Sequence, residues 1–118
     1  MRADTAGRTY LEVVMRMLVK AVFDTDAASE VIASGQGAEV NRRIADRFQP
    51  EAFYAFAEDG QRTVLMVFDL TDPSQIPVLT EPMYQQGKAK VTLTPCMNLD
   101  DLEKGFEELA SQMASTEG

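Results

Sequence analysis

Two runs of apolar, aromatic and β-branched residues, AFYAFAE and RTVLMVFDL, flank the dipeptide Asp59-Gly60 within residues 52–70. That dipeptide is the pair best suited to a two-residue type I′ turn, in which both central residues need positive φ. The turn then dictates the register. Glu58 faces Gln61, Phe56 faces Thr63, Tyr54 faces Leu65 and Ala52 faces Val67 on one side. Ala57 with Arg62, Ala55 with Val64 and Phe53 with Met66 make the other. Both sides are largely apolar, whereas an antiparallel hairpin with one solvated side shows apolar-in, polar-out alternation. Each side therefore needs a cover.

The same period of two runs through the first apolar segment. Leu11, Val13, Met15, Met17, Val19, Ala21 and Phe23 occupy the odd positions, while Glu12, Arg16 and Lys20 fall on even ones. Valine enrichment and the aromatic end predict a strand over 16–23, with 10–15 as an extension. Asp24-Thr25-Asp26 signals a helix start, with Thr25 or Asp26 as N-cap. Gly35-Gln36-Gly37 interrupts that helix, and Val40, Ile44 and Phe48 stack at helical spacing in a second piece over 38–48. Gln49-Pro50 stops it, because the residue before a proline disfavours the helical region. After the hairpin, Asp72-Pro73-Ser74-Gln75 reads as a capped helix entry. Pro77 and Pro82 then restrict residues up to Gly87 to one or two irregular turns. Residues 88–96 alternate as a strand, with Pro95 at a strand end or edge. Asn98 caps a last helix whose stripe is Leu99, Leu102, Phe106, Leu109 and Met113. Residues 1–9 read as a disordered leader, 10–113 as one domain and 114–118 as a fraying tail.

This order, β-α-β-β-α-β followed by a helix, predicts an α+β fold of the ferredoxin-like kind. Two split β-α-β units with right-handed crossovers place both connecting segments on one face of a four-stranded antiparallel sheet. The face so covered carries Met17, Val19, Ala21, Phe23, Phe53, Ala55, Val64, Met66, Phe68, Val91 and Leu93. The other carries Leu18, Lys20, Val22, Tyr54, Phe56, Thr63, Leu65, Val67, Thr92, Thr94 and Cys96. Only the last helix and a second copy of the chain remain to cover it. A large exposed apolar patch is rare on a soluble monomer, so a homodimer through the open sheet face is expected.

The stretches MLVKAVFDT, QPEAFYAFAEDGQRTVLMVFDL with DPSQIPVLTEP, and AKVTLTPCMNLDDLEKG span residues 17–105. In them the chain resembles the dimeric α/β-barrel families, ferredoxin-like subunits that pair their sheets face to face, and within that class a group of small uncharacterised bacterial proteins. These stretches are structural signatures, so the resemblance implies a fold and a dimer more firmly than an activity. It also implies an inter-sheet space of the kind that, in related families, holds small aromatic or polyketide-like substrates. Some of those relatives are cofactor-free monooxygenases or isomerases; those that bind or degrade haem depend on histidine, which this chain lacks.

Composition narrows the chemistry further. The chain has 118 residues, net charge −8, no histidine and one cysteine. The length suits a single domain with its own core. The acidic balance argues against nucleic-acid and anionic-membrane partners, which need clustered Lys and Arg. One cysteine rules out an internal disulfide and fits a reducing cytoplasm. The charges at 12, 16 and 20 interrupt the only candidate for a membrane span or signal sequence.

Seven residues on the second sheet face are candidates for lining a ligand cavity: Lys20, Tyr54, Phe56, Thr63, Thr92, Thr94 and Cys96. A desolvated Lys20 would suit general-base or Schiff-base work; the plainer reading pairs it with a carboxylate. Tyr54 offers a hydroxyl to a ligand or to a local partner. Cys96 has no adjacent basic residue to favour its thiolate and reads as a small hydrophobe. Asp24 and Asp26 lack the rest of a calcium loop and read as helix capping; Asp100, Asp101 and Glu103 suit the start of a helix. No catalytic set, metal site or cofactor is expected. The preferred reading is a non-enzymatic homodimeric module with room for a small apolar molecule between its sheets. The alternative is a cofactor-free monooxygenase or isomerase acting on a small aromatic or polyketide-like substrate, and the residues alone leave the question of enzymatic activity open.

Overall fold

A computed structural model describes residues 14–117. The leader over 1–9 and the first part of the predicted strand extension lie outside the described residues. Eight elements follow in order: β1 (Met15–Val22), α1 (Thr25–Ala33), α2 (Gly37–Phe48), β2 (Ala52–Glu58), β3 (Gln61–Leu70), α3 (Gln75–Gly87), β4 (Lys90–Pro95) and α4 (Leu99–Glu117). The strands form one open antiparallel sheet in the order β2-β3-β1-β4. The architecture is α+β and compatible with the ferredoxin-like plan.

The hairpin adopts the predicted register throughout, from Glu58 opposite Gln61 to Ala52 opposite Val67. Asp59 and Gly60 both have positive φ, 52° and 77°, as a type I′ turn requires. The central strand β1 pairs Lys20 with Leu65 on β3 and with Thr92 on β4. Pro95 ends β4, an edge strand, where its missing N–H interrupts no interior ladder.

Local expectations are corrected at two helices. The cap of α1 is Asp24 rather than Thr25 or Asp26, its carboxylate accepting the Ala27 N–H at 3.0 Å. The helix thus starts one residue sooner, and β1 ends at Val22 to accommodate it. The segment holding Pro77 and Pro82 is a thirteen-residue helix rather than one or two irregular turns. Pro77 lies in its first turn, where the N–H would have no intrahelical acceptor, so only Pro82 removes a bond. Burial of Leu79, Thr80, Met83 and Gly87 holds the helix together despite that loss. The helix begins at Gln75, with Ser74 rather than Asp72 at its N-cap, and the Gln75 side-chain oxygen accepts the backbone N–H groups of Thr71 and Asp72. The last helix, α4, runs from Leu99 to Glu117.

The core lies between one sheet face and α2 and α3. Met17, Val19, Ala21, Met66 and Phe68 from the sheet meet Ile44 and Phe48 of α2 and Leu79 and Met83 of α3. Phe48 meets Phe68 edge to face, with ring centroids 5.3 Å apart, the geometry favoured by aromatic quadrupoles. Ending α2 at this point takes a left-handed Gln49, φ 46°, whose N–H reaches the Ala45 carbonyl. The second sheet face has no helix over it among the described residues. No helix among them is long and apolar enough to cross a membrane.

Candidate functional site

The predicted site residues lie on this open face, which the register resolves into rows. Tyr54, Leu65, Lys20 and Thr92 form one row across all four strands. Phe56, Thr63 and Val22 form the next, with Lys90 beyond them on β4. Thr94 sits opposite Leu18 on the far side of Lys20. Cys96 lies just past the end of β4, its N–H bonded to the Arg16 carbonyl at 3.0 Å, so it borders the face rather than belonging to a strand.

Lys20 is engaged. Its Nζ stands 2.6 Å from Glu58 Oε2, both side chains being about a third exposed. Lys20 is opposite Leu65 on β3 and Glu58 is opposite Gln61, so the ion pair spans β3 above Thr63. Thr63 is 1% exposed, flanked by Phe56 and Val22 and roofed by that pair, and its hydroxyl donates to the Gln61 carbonyl. It is not available to a ligand from the open face in this arrangement. Tyr54 and Phe56 point outward, 65% and 43% exposed. Tyr54 makes no hydrogen bond to another described residue, and Thr92 and Thr94 are exposed on the β4 edge. The face brings the candidates onto one surface, but the ammonium meets Glu58 and not Tyr54 or Thr92.

A residue that pattern alone does not single out anchors one end of the face. Arg16 Nε donates to Glu51 at 2.7 Å, and its Nη1 donates to Asp101 at 2.6 Å. The hydrogen bond to the Glu51 carboxylate raises the Arg16 pKa above its ordinary value against a smaller desolvation effect, and the charges of Glu51, Asp101 and Asp69 add to it. A raised folded-state pKa in a base contributes stability below the unfolded value and loses it only as pH climbs through the folded one. For an arginine both lie in strong alkali, so this cation is constant at every ordinary pH. Asp101 is itself fixed by a reciprocal cap, its N–H on Asn98 Oδ1 at 2.8 Å and its carboxylate on the Asn98 N–H at 3.2 Å. The start of α4 is thereby tied to β1 and to the lead-in of β2.

The helix side of the sheet holds a cavity of about 450 Å³. Val31 and Ile32 of α1, Val40 and Ile44 of α2, Met83 of α3 and Ala55 and Val64 of the sheet give it an apolar wall. Alanines at 55 and 57, opposite Val64 and Arg62, leave this space where larger residues would fill it. Arg62 stands at the wall with Nη1 3.2 Å from Ser29 Oγ and no carboxylate partner among the described residues. Of the seven predicted residues, Phe56 and Thr63 also border this cavity. The signal for it in the sequence is the pair of small residues at 55 and 57 in an otherwise bulky hairpin. No group of three or more Cys, Asp or Glu able to hold a metal occurs among the described residues.

No family model matches the chain, and neither a curated protein nor a solved structure matches it.

Proposed function

We propose that the protein is a non-enzymatic homodimeric module in which two ferredoxin-like subunits pair their open sheet faces, in the manner of the dimeric α/β-barrel families, and hold a small apolar molecule. The observation that carries this reading is the sheet itself. One face carries the core, packed by α2 and α3, while the other presents Tyr54, Phe56, Leu65, Leu18 and Val67 with no cover among the described residues. Apolar surface of this extent is stabilised by association.

The ligand part of the proposal has two candidate locations, the space between paired sheets and the 450 Å³ cavity on the helix side. The latter falls within the range of small-molecule pockets. Against the alternative, a cofactor-free monooxygenase or isomerase, stands the Lys20–Glu58 pair, which engages the one cation in the middle of the face. Sedimentation of the wild-type protein at micromolar concentration tests the assembly: a dimer is expected, and a monomer refutes the proposal. Thermal shift with small aromatic compounds tests the ligand. A shift abolished by Ala55→Leu places the molecule on the helix side, and one abolished by Tyr54→Ala places it between the sheets.

A further inference from the structure

Arg62 ends a row of side chains that is otherwise core. Phe68, Met66 and Val64 alternate along β3 on the helix-covered face and are buried, and Arg62 continues their row toward the turn. The sheet is bare at this end. Ala55 and Ala57, opposite Val64 and Arg62 on the same face, are exposed. The helices come over them without filling the space, which is the 450 Å³ cavity. Among the described residues that line it, Arg62 is the one charged side chain, and no carboxylate lines it. The guanidinium is poorly satisfied. Its Nη1 reaches two uncharged oxygens, Ser29 Oγ at 3.2 Å and the Thr25 carbonyl at 3.4 Å, while Nε and Nη2 make no hydrogen bond to another described residue. A guanidinium presents its donors as a fork that matches a carboxylate, and its methylene stem packs along apolar surface.

We infer that this cavity binds a small amphipathic monocarboxylic acid, its alkyl or aryl body against Val31, Val40, Ile44 and Val64 and its carboxylate on the Arg62 guanidinium at the rim. This rests on the ligand half of the function proposed above, chooses between its two locations and is independent of sheet pairing. Size agrees: at water's share of liquid volume, ~30 Å³, the cavity has room for about fifteen non-hydrogen atoms. Charge sets the class. A cationic ligand would meet a guanidinium and no acid on the wall. A phosphomonoester or dicarboxylate would bring two charges to a single cation, in a chain of net charge −8. A neutral apolar molecule would cover the wall and leave the fork unpaired. One carboxylate on an apolar body satisfies both. Asn41 of α2 and Gln86 of α3 add exposed carboxamides to the lining, neither hydrogen-bonded to another described residue.

The test uses the full chain and two matched pairs of probes, octanoate with octanamide and naphthylacetate with naphthylacetamide, titrated by calorimetry. Each pair shares a body and differs in charge. Wild type is expected to bind each acid more tightly than its amide by about five-fold or more, the scale of a partly exposed ion pair. Arg62→Leu removes that preference and leaves the amides bound as before. Ala55→Leu fills the cavity and removes binding of both members of each pair. Both substitutions fall at exposed positions, and an unchanged far-ultraviolet spectrum confirms that the variants fold. Equal affinity for acid and amide in wild type, or an acid preference that survives Arg62→Leu, overturns the carboxylate site and leaves the apolar-ligand reading standing. Binding untouched by Ala55→Leu and abolished by Tyr54→Ala moves the ligand between the sheets and overturns the site as well. If none of the four probes binds, the site and the ligand half of the proposed function fall together, while sedimentation decides the dimer separately.

Discussion

Lys20 is a cation placed in the middle of a sheet face between Leu18 and Val22, and its pairing with Glu58 explains how an apolar surface tolerates it. The pair is partly exposed, so its net worth is small, about 0–1 kcal/mol by analogy with solvent-accessible ion pairs. Lys20→Met keeps the stem that roofs Thr63 and removes the charge. Stability is expected to stay within about 1 kcal/mol of wild type, or to rise, because apolar replacement of a shielded ion pair is often neutral or better. A loss of several kcal/mol in chemical denaturation would mean that the charge itself holds the face together. Gly87 is a residue whose importance pattern does not reveal. It reads as the end of a helix, yet a Cβ there would overlap the Phe23 ring, and its carbonyl accepts the Asp24 N–H at 3.1 Å. Gly87→Ala should therefore destabilise by about 1–3 kcal/mol through overpacking, measured by urea unfolding; a neutral result would show that Phe23 swings freely into the neighbouring cavity.

At the scale of elements, the hairpin was the most legible part of the chain, because a two-residue turn fixes a register and the register fixes every cross-strand pair. Asp59 and Gly60 both occupy the left-handed region, so Gly60→Val forces a β-branched side chain to positive φ and should cost about 1–3 kcal/mol. Thermal unfolding checks this, and an unshifted midpoint would show that the turn rearranges without strain. Helices were legible where polarity repeats and less so where breakers lie. The spacing of Val40, Ile44 and Phe48 marks the inner row of α2, with Ile44 and Phe48 buried and Val40 half-buried, but Pro77 and Pro82 read as two interruptions although only Pro82 deletes a hydrogen bond. Tertiary burial of Leu79 and Met83 outweighs that single loss. The site residues follow the same division. Their common face was readable from period two, but the Lys20–Glu58 pair depends on β1 lying beside β3, a long-range pairing that no local pattern encodes. The helix-side cavity depends on three helices meeting over two alanines, of which the sequence shows only the small residues at 55 and 57.

For the molecule as a whole, the decisive asymmetry is a sheet packed on one side and bare on the other. Leu65 is the residue best placed to probe it. It lies on the inner strand β3, in the row between Tyr54 and Lys20, and is half-buried in the single subunit. Leu65→Lys puts a second ammonium directly opposite Lys20, a cross-strand repulsion worth a few tenths of a kcal/mol up to about 1. The isolated fold should withstand that, because the new side chain can reach water across the open face. Sheet pairing removes that escape. A dimer would then enclose two unpaired lysines near its centre, each costing several kcal/mol. The expected outcome is a folded monomer by sedimentation at concentrations where wild type is a dimer, with Leu65→Met, which keeps volume and apolarity, still dimeric. If Leu65→Lys instead sediments as a dimer with an unchanged midpoint, the open face is not where two copies meet.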